Sequence, residues 1–339
     1  MKKNIAINGF GRIGRAITKI NQKYDLFNLV FINDINPHLE NLSYLFKYDS
    51  TYGKFEGDLS VSNNELIINN ARSHCYSYKD LKEIPWENHS VDLLIDSSGV
   101  SSNIKDGKKL IKDKKLKKII VTHSNNDVDK EIIMGVNDSE ITSEDEIFSS
   151  SICDANALAH IMKWIDEEFI IESGSLTTLH PWLSYQNLVD GSSISFSDPG
   201  VIWTDFALGR SSVRNLIPKD TTAMTAVEKI LPGLKGKIAS FSYRVPTDIV
   251  ASSDITLNLK KKIDLKKLNT FLEKKTKESS YIKINKESLV SLDYAKQEFS
   301  AFIDSQWTKV SGNLIKIVLW YDNEWGYSAR VLDLAKKIL

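Results

Sequence analysis

Lys3-Asn4-Ile5-Ala6-Ile7-Asn8-Gly9-Phe10-Gly11-Arg12-Ile13-Gly14 joins an apolar run to a glycine-rich loop. Residues 3–8 form a short apolar run of the kind a buried strand needs. Gly9 to Gly14 follows as a GxGxxG loop, and Arg15–Tyr24 reads as a helix. Alone, that glycine pattern is a weak signal. Here it sits between a strand and a helix, and Asp34 lies 20 residues past Gly14, closing the next apolar run, Leu29–Asn33. In that setting the pattern predicts dinucleotide binding. The glycines allow a tight turn and let a pyrophosphate approach backbone N–H groups at the helix N-terminus. Asp34 would accept from the ribose hydroxyls and repel a 2′-phosphate, which favours NAD over NADP.

Working outward, Val91–Asp96 and Lys118–Thr122 are further runs of the parallel-sheet type. Between them, residues 103–118 are dense in lysine, with Ile104, Leu110, Ile111 and Leu116 available for one helix face. A solvated amphipathic helix is the plain reading and a polyanion patch the alternative. Strands alternating with helices over the first 150 or so residues predict an α/β doubly wound parallel sheet. After Cys153 the texture changes. Asp154–Glu168 reads as a helix, and Ile170–Leu179, Ile238–Arg244, Ser253–Leu259 and Leu314–Tyr321 as long strands of a mixed or antiparallel sheet. Tyr327–Leu339 reads as a terminal helix.

Composition narrows the function classes. The 339 residues suit about two domains. Lys+Arg and Asp+Glu are equal at 44 each, so the basic excess of a general nucleic-acid binder is absent. No apolar run approaches the roughly 20 residues of a membrane helix, and the start shows no signal-peptide pattern. Cys75 and Cys153 are the only cysteines, which excludes a disulfide framework and a four-cysteine zinc site. A cytoplasmic setting without a metal centre is expected. Arginines are few against the lysines, so an Arg hints at a place needing a planar, bidentate donor.

Cys153 opens a helix-like segment, where the positive end of the dipole would lower a thiol pKa and favour thiolate. His180 follows 27 residues on, after Leu176-Thr177-Thr178-Leu179. Cysteine and histidine counts alone leave many pairings open, including a purely structural Cys. Cys75 has no comparable setting and reads as a small packed residue.

Asn8-Gly9-Phe10-Gly11-Arg12-Ile13-Gly14-Arg15 resembles the opening of the glyceraldehyde-3-phosphate dehydrogenase family. So do Lys47-Tyr48-Asp49-Ser50-Thr51-Tyr52-Gly53-Lys54-Phe55, Ser97-Ser98-Gly99, Arg244-Val245-Pro246-Thr247 and residues 320–328, in the family's order. The resemblance implies an NAD-binding Rossmann domain over 1–152, completed by a C-terminal helix within 322–339. It also implies a mixed-sheet catalytic domain over 153–321 and a homotetramer. It marks Cys153 and His180 as the catalytic pair, with Asn156 on the same segment. Cofactor-binding candidates are Gly9, Phe10, Gly11, Arg12, Ile13, Gly14, Asp34, Ser98, Gly99 and Thr122. Substrate-binding candidates are Thr221 and Arg244. The implied chemistry is covalent: thiohemiacetal, hydride transfer, then a thioester released to phosphate or water.

The departures from that pattern cluster in the anion sites. The family's Ser before the nucleophile is Ile152, and its following Thr-Thr is Asp154-Ala155. Asp154 either places a negative charge beside the thiolate or serves only as a first-turn acid. The Thr-Gly of the attacking-phosphate loop is Thr221-Thr222, after Asp220. The family's Thr and Asp that hold the substrate phosphate are Leu183 and Tyr185. Arg210 matches a neighbouring family Arg rather than the second phosphate ligand. The Asn that holds the nicotinamide carboxamide is Ala329. These changes predict an NAD-dependent aldehyde dehydrogenase working on a small, non-glycolytic aldehyde, phosphorylated or not. The alternatives are ordinary phosphorylating glyceraldehyde-3-phosphate dehydrogenase and a non-catalytic NAD-binding regulator.

Overall fold

The computed structural model describes residues 2–195 and 201–339. The chain forms two compact units. The first runs to Ile132 and takes in Glu140–Ser151 and Ser328–Leu339; the second comprises Ile133–Ser139 and Ile152–Tyr327.

In the first unit, among the described residues, nine strands form one sheet. Asn4–Asn8 lies at its centre, parallel to Asn28–Asn33 on one side and to Leu93–Asp96 on the other. Lys118–Val121 and Ile147–Ser149 extend the parallel part beyond Leu93–Asp96. Ile5, Ala6, Ile7, Leu94 and Ile95 are fully buried, because helices cover both faces of such a sheet. Beyond Asn28–Asn33, Ala71–Tyr76 pairs parallel, and the sheet then turns antiparallel through Glu65–Ile68 and Leu59–Ser62, three strands that the sequence pattern does not predict.

Two helix boundaries differ from expectation by about a turn or more. The first helix spans Arg12–Tyr24, so the glycine loop ends at Gly11, not Gly14. Gly14 sits in the first turn, where a Cβ would lie 2.2 Å from the Gly9 carbonyl oxygen. The glycine is there so that the helix can lie against its own entry loop. The lysine-rich helix stops at Lys112, well short of residue 118. Lys114 is left-handed (φ 58°), and the chain turns there into the strand Lys118–Val121.

The second unit is built on a seven-stranded mixed sheet among the described residues. Ile171–Pro181 pairs parallel with Ile238–Val245 and antiparallel with Ala251–Leu259. Leu314–Tyr321 and Ala301–Ser311 continue it. The helix Cys153–Phe169 buries Ala155, Leu158, Ile161, Met162 and Ile165 in one core with Leu176, Ile255, Leu257, Ile317 and Leu319 from the sheet. It ends where Ile170 turns left-handed (φ 62°). Helices Ala223–Ile230 and Leu265–Glu278 were not assigned from sequence. The last helix, Trp325–Ile338, begins in this unit, and its residues from Ser328 onward group with the first. No described helix is long and apolar enough to cross a membrane.

Candidate active site

In the first unit the expected cofactor residues all follow the C-terminal ends of parallel strands. Gly9–Gly14 follows Asn4–Asn8, Asp34 follows Asn28–Asn33, Ser98 and Gly99 follow Leu93–Asp96, and Thr122 follows Lys118–Val121. That edge of a doubly wound sheet is where ligands bind. Gly9 (φ 85°) lies so close to the next turn that a Cβ would come within 2.6 Å of Ser98 Cα. Gly11 is the opposite case: nothing lies within 4 Å of a Cβ there, and no side chain caps the helix it precedes. Uncapped N–H groups facing open space fit a pyrophosphate. Asp34 accepts from Phe10 N–H (2.6 Å) and Asn36 N–H (2.9 Å), which fixes its carboxylate beside the loop. Ser98 Oγ donates to the buried Asp96 (2.6 Å), and Thr122 N–H donates to the Asp96 carbonyl (3.1 Å). The Arg12 guanidinium reaches Asp49 at 3.4 Å, so its side chain is engaged with the protein itself. These residues fit NAD. A fixed carboxylate at the ribose should make NAD bind at least about tenfold tighter than NADP, the equivalent of ~1.4 kcal/mol. Dissociation constants for the two cofactors test this; equal or tighter NADP binding removes Asp34 from its role.

In the second unit, strand alternation and register assemble the chemistry. Leu176, Thr178 and His180 are buried on alternate positions of Ile171–Pro181. The neighbouring parallel strand sets Arg244 directly opposite His180. Cys153 is the first residue of its helix, and its Sγ lies 3.6 Å from His180 Nε2. His180 Nδ1 lies 2.8 Å from the Pro181 carbonyl oxygen, which can only accept. Nδ1 therefore carries the proton, and Nε2 turns a lone pair toward the thiol.

Burial, reinforced by the Arg244 charge, pushes the His180 pKa down to about 4. The imidazole is neutral at neutral pH and free to act as a base. The thiol contradicts the helix-dipole expectation. Burial first, and the Asp154 carboxylate next, hold Cys153 well above its ordinary value, against the pull of Arg244 and a backbone N–H. The resting pair is thus thiol and neutral imidazole, not thiolate and imidazolium. Cys75 is raised to about 12, again by burial, and its Sγ donates to the Ser73 carbonyl (3.7 Å). Iodoacetamide should label Cys153 faster than Cys75 by roughly a hundredfold, the low end of general-base assistance. Labelling of Cys75 first would remove Cys153 from the nucleophile's role.

Asp154 is not a solvated first-turn acid. It is 7% exposed, and its Oδ1 accepts from the Tyr321 hydroxyl (2.6 Å) and from the Cys153 thiol (3.6 Å). Tyr321 comes from the end of Leu314–Tyr321, 167 residues away, and no local pattern announces it. Ile152 precedes the helix and offers no side-chain cap.

The anion residues divide. Arg244 is 8% exposed; its Nη2 lies 3.5 Å from Tyr185 Oη, and its Nε has no hydrogen-bond partner among the described residues. Among the described residues no salt bridge to a carboxylate is seen for this buried guanidinium, which makes it a place for an anion. Thr221 Oγ1 accepts from Ala223 N–H (3.1 Å) at the start of helix Ala223–Ile230. Arg210 does not join them: its Nε pairs with Asp190 at 2.9 Å, both side chains exposed. Lys219 escaped the sequence reading. It is partly buried on Ile217–Lys219, its pKa lowered by burial and by Arg244, and it feels the Asp154 charge.

The chain is similar to known proteins along its whole length. The family model described as "Glyceraldehyde 3-phosphate dehydrogenase, NAD binding domain" matches residues 3–104. The one described as "Glyceraldehyde 3-phosphate dehydrogenase, C-terminal domain" matches residues 152–323. Glyceraldehyde-3-phosphate dehydrogenase of Ogataea parapolymorpha is 36% identical over 100% of this chain and 98% of its own length. Glyceraldehyde-3-phosphate dehydrogenase 3 of Saccharomyces cerevisiae is 34% identical over 98% of each chain. Glyceraldehyde-3-phosphate dehydrogenase 2 of Bacillus subtilis is 34% identical over 100% of this chain and 97% of its own. The dinucleotide loop in one unit, the cysteine–histidine pair in the other and the full-length similarity lead to one conclusion: the chain belongs to the glyceraldehyde-3-phosphate dehydrogenase family, as an NAD-dependent oxidoreductase.

Proposed function

We propose that the protein oxidises a small phosphorylated aldehyde with NAD, through Cys153, and releases the acyl group to water more readily than to phosphate. The observation that carries this reading is the buried Asp154 carboxylate against the Cys153 thiol. His180 Nε2 takes the thiol proton as sulfur attacks the aldehyde carbon. The resulting thiohemiacetal oxyanion is stabilised by the imidazolium and by N–H groups at the helix start. NAD supplies the hydride acceptor. Loss of hydride from carbon leaves a thioester on Cys153. Water then adds to the thioester carbonyl and expels the thiol, which recovers a proton, giving a free acid. Arg244 holds the substrate's anionic group, with Lys219 adding positive charge.

Phosphate is poorly placed to compete. Ile152 has no hydroxyl to donate, and Asp154 sets a negative charge beside the sulfur. The working form is a cytoplasmic homotetramer, in line with the family resemblance. A second reading, phosphorylating glyceraldehyde-3-phosphate dehydrogenase, draws support from the names of the relatives and from the buried Arg244 guanidinium. NADH formation across a panel of small aldehydes, with and without phosphate, separates the two. Turnover that is largely independent of phosphate supports the first. Strict phosphate dependence supports the second, and no turnover on any aldehyde despite NAD binding overturns both.

A further inference from the structure

Cys153, Asp154 and His180 each offer a donor atom, and the three lie within 4.8 Å of one another. We infer that they form a three-ligand site for a borderline-soft divalent cation such as Zn²⁺, and that the ion switches the enzyme off.

The distances fit. With Zn–S about 2.3 Å and Zn–N and Zn–O about 2.0–2.2 Å, a tetrahedral ion sets its sulfur about 3.6 Å from nitrogen or oxygen ligands. Cys153 Sγ lies 3.6 Å from His180 Nε2 and 3.6 Å from Asp154 Oδ1. Two of the three donor edges therefore already have tetrahedral length. The third, between imidazole and carboxylate, needs about 3.4 Å, within reach of small side-chain rotations from its present limit of 4.8 Å.

The surroundings also match a metal site. A ligating histidine commonly donates its other ring N–H to a carbonyl, and His180 Nδ1 does so to Pro181 at 2.8 Å. A ligating carboxylate is commonly held by a further hydrogen bond, and Tyr321 supplies one to Asp154 at 2.6 Å. Tyr321 is itself within 3.2 Å of Ser253 Oγ. Arg244 acts on the cluster, but thiolate and carboxylate together offset the ion's two charges, so the loaded cluster is neutral, one unit more positive than the resting thiol and carboxylate. Binding forms the S–metal bond and releases the thiol proton to solvent. Three protein ligands leave a fourth position for water. Counting cysteines excluded a four-cysteine centre and left this mixed site unseen, because His180 joins the other two only through the fold.

Metal binding stands on geometry alone; the inhibition rests on the function proposed above. Co²⁺ is the probe, titrated into reduced, chelator-treated protein. One Co²⁺ per chain should bind with a thiolate-to-cobalt absorption band and the intense visible bands of a four-coordinate ion, and Zn²⁺ should displace it. Alkylation of Cys153 should abolish both signals. Asp154→Asn should weaken Co²⁺ binding by at least about tenfold, and Tyr321→Phe, acting through Asp154, by about tenfold. Stoichiometric Zn²⁺ should stop NADH formation, and chelator should restore it. A wild-type protein without the thiolate band overturns the site. So does undiminished affinity in both variants; Tyr321→Phe keeps that test open if Asp154→Asn fails to fold. Co²⁺ binding without any aldehyde oxidation would sink the catalytic reading and the inhibition, and leave the metal site standing.

Discussion

Cys153→Ser lowers the turnover number for aldehyde oxidation by about 10⁴-fold or more, the scale seen when a covalent nucleophile is removed. A hydroxyl in that position is a far weaker nucleophile, and neutral His180 is too weak a base to generate an alkoxide. NAD affinity stays as in the wild type, because the dinucleotide loop and Asp34 belong to the other compact unit. His180→Ala falls less far, by roughly 10²–10⁴-fold, since the thiol retains some reactivity without its base. Turnover of the wild type should also climb as pH rises above neutrality. The thiol is held above its ordinary pKa, so thiolate accumulates only as pH approaches that raised value. Asp154→Asn removes the raising charge and should move the climb to lower pH. Steady-state rates against pH for wild type and variant check the sign. An active Cys153→Ser enzyme would end the covalent account.

Ile152→Ser combined with Asp154→Thr should convert the enzyme toward phosphate. The pair restores a hydroxyl donor ahead of the nucleophile and removes the carboxylate from beside it. Two like charges about 4 Å apart at an effective dielectric near 20 repel by about 4 kcal/mol, and solvent screening leaves a few kcal/mol or less. Relief of that repulsion should tighten phosphate binding by about ten- to a thousand-fold. The variant must also give up the Tyr321–Asp154 hydrogen bond, so some stability is lost, about 1–3 kcal/mol if the buried Tyr321 hydroxyl finds no other partner. The phosphate KM and thermal midpoint of the double variant read the two effects separately.

What could be read from the chain depended on how local the information is. The dinucleotide loop was legible because its parts lie within one strand–turn–helix. Even there, the boundary at Gly14 shifted, since the glycine serves packing inside the helix rather than the turn. The antiparallel stretch 59–76 went unread although it carries its own signal. Asn63-Asn64 and Asn69-Asn70 are both left-handed pairs closing two-residue hairpins, where asparagine tolerates positive φ. Its strands are short, and without glycine at those turns the punctuation was faint. In the catalytic unit, Cys153 and His180 were found through the family resemblance. The seat of Asp154 could not be found that way, because it depends on Tyr321 arriving from the far end of the sheet. Arg244 was named through the resemblance, but its place opposite His180 is set by the parallel register of two strands and shows only in the fold. Lys219 was passed over because nothing marks one lysine among many until its strand is placed. The helix N-terminus favours thiolate at Cys153, but burial and the Asp154 charge outweigh it.

A carboxylate seated against Cys153 should direct the acyl group to water rather than to phosphate. The most direct test is to identify the product that wild-type enzyme makes from a phosphorylated aldehyde and NAD in saturating phosphate. The account predicts mostly free acid, with phosphate accelerating turnover only weakly. Mostly acyl phosphate, formed with a phosphate KM well below about 1 mM, the lower range of ordinary enzyme substrates, would contradict it and make the protein a phosphorylating glyceraldehyde-3-phosphate dehydrogenase.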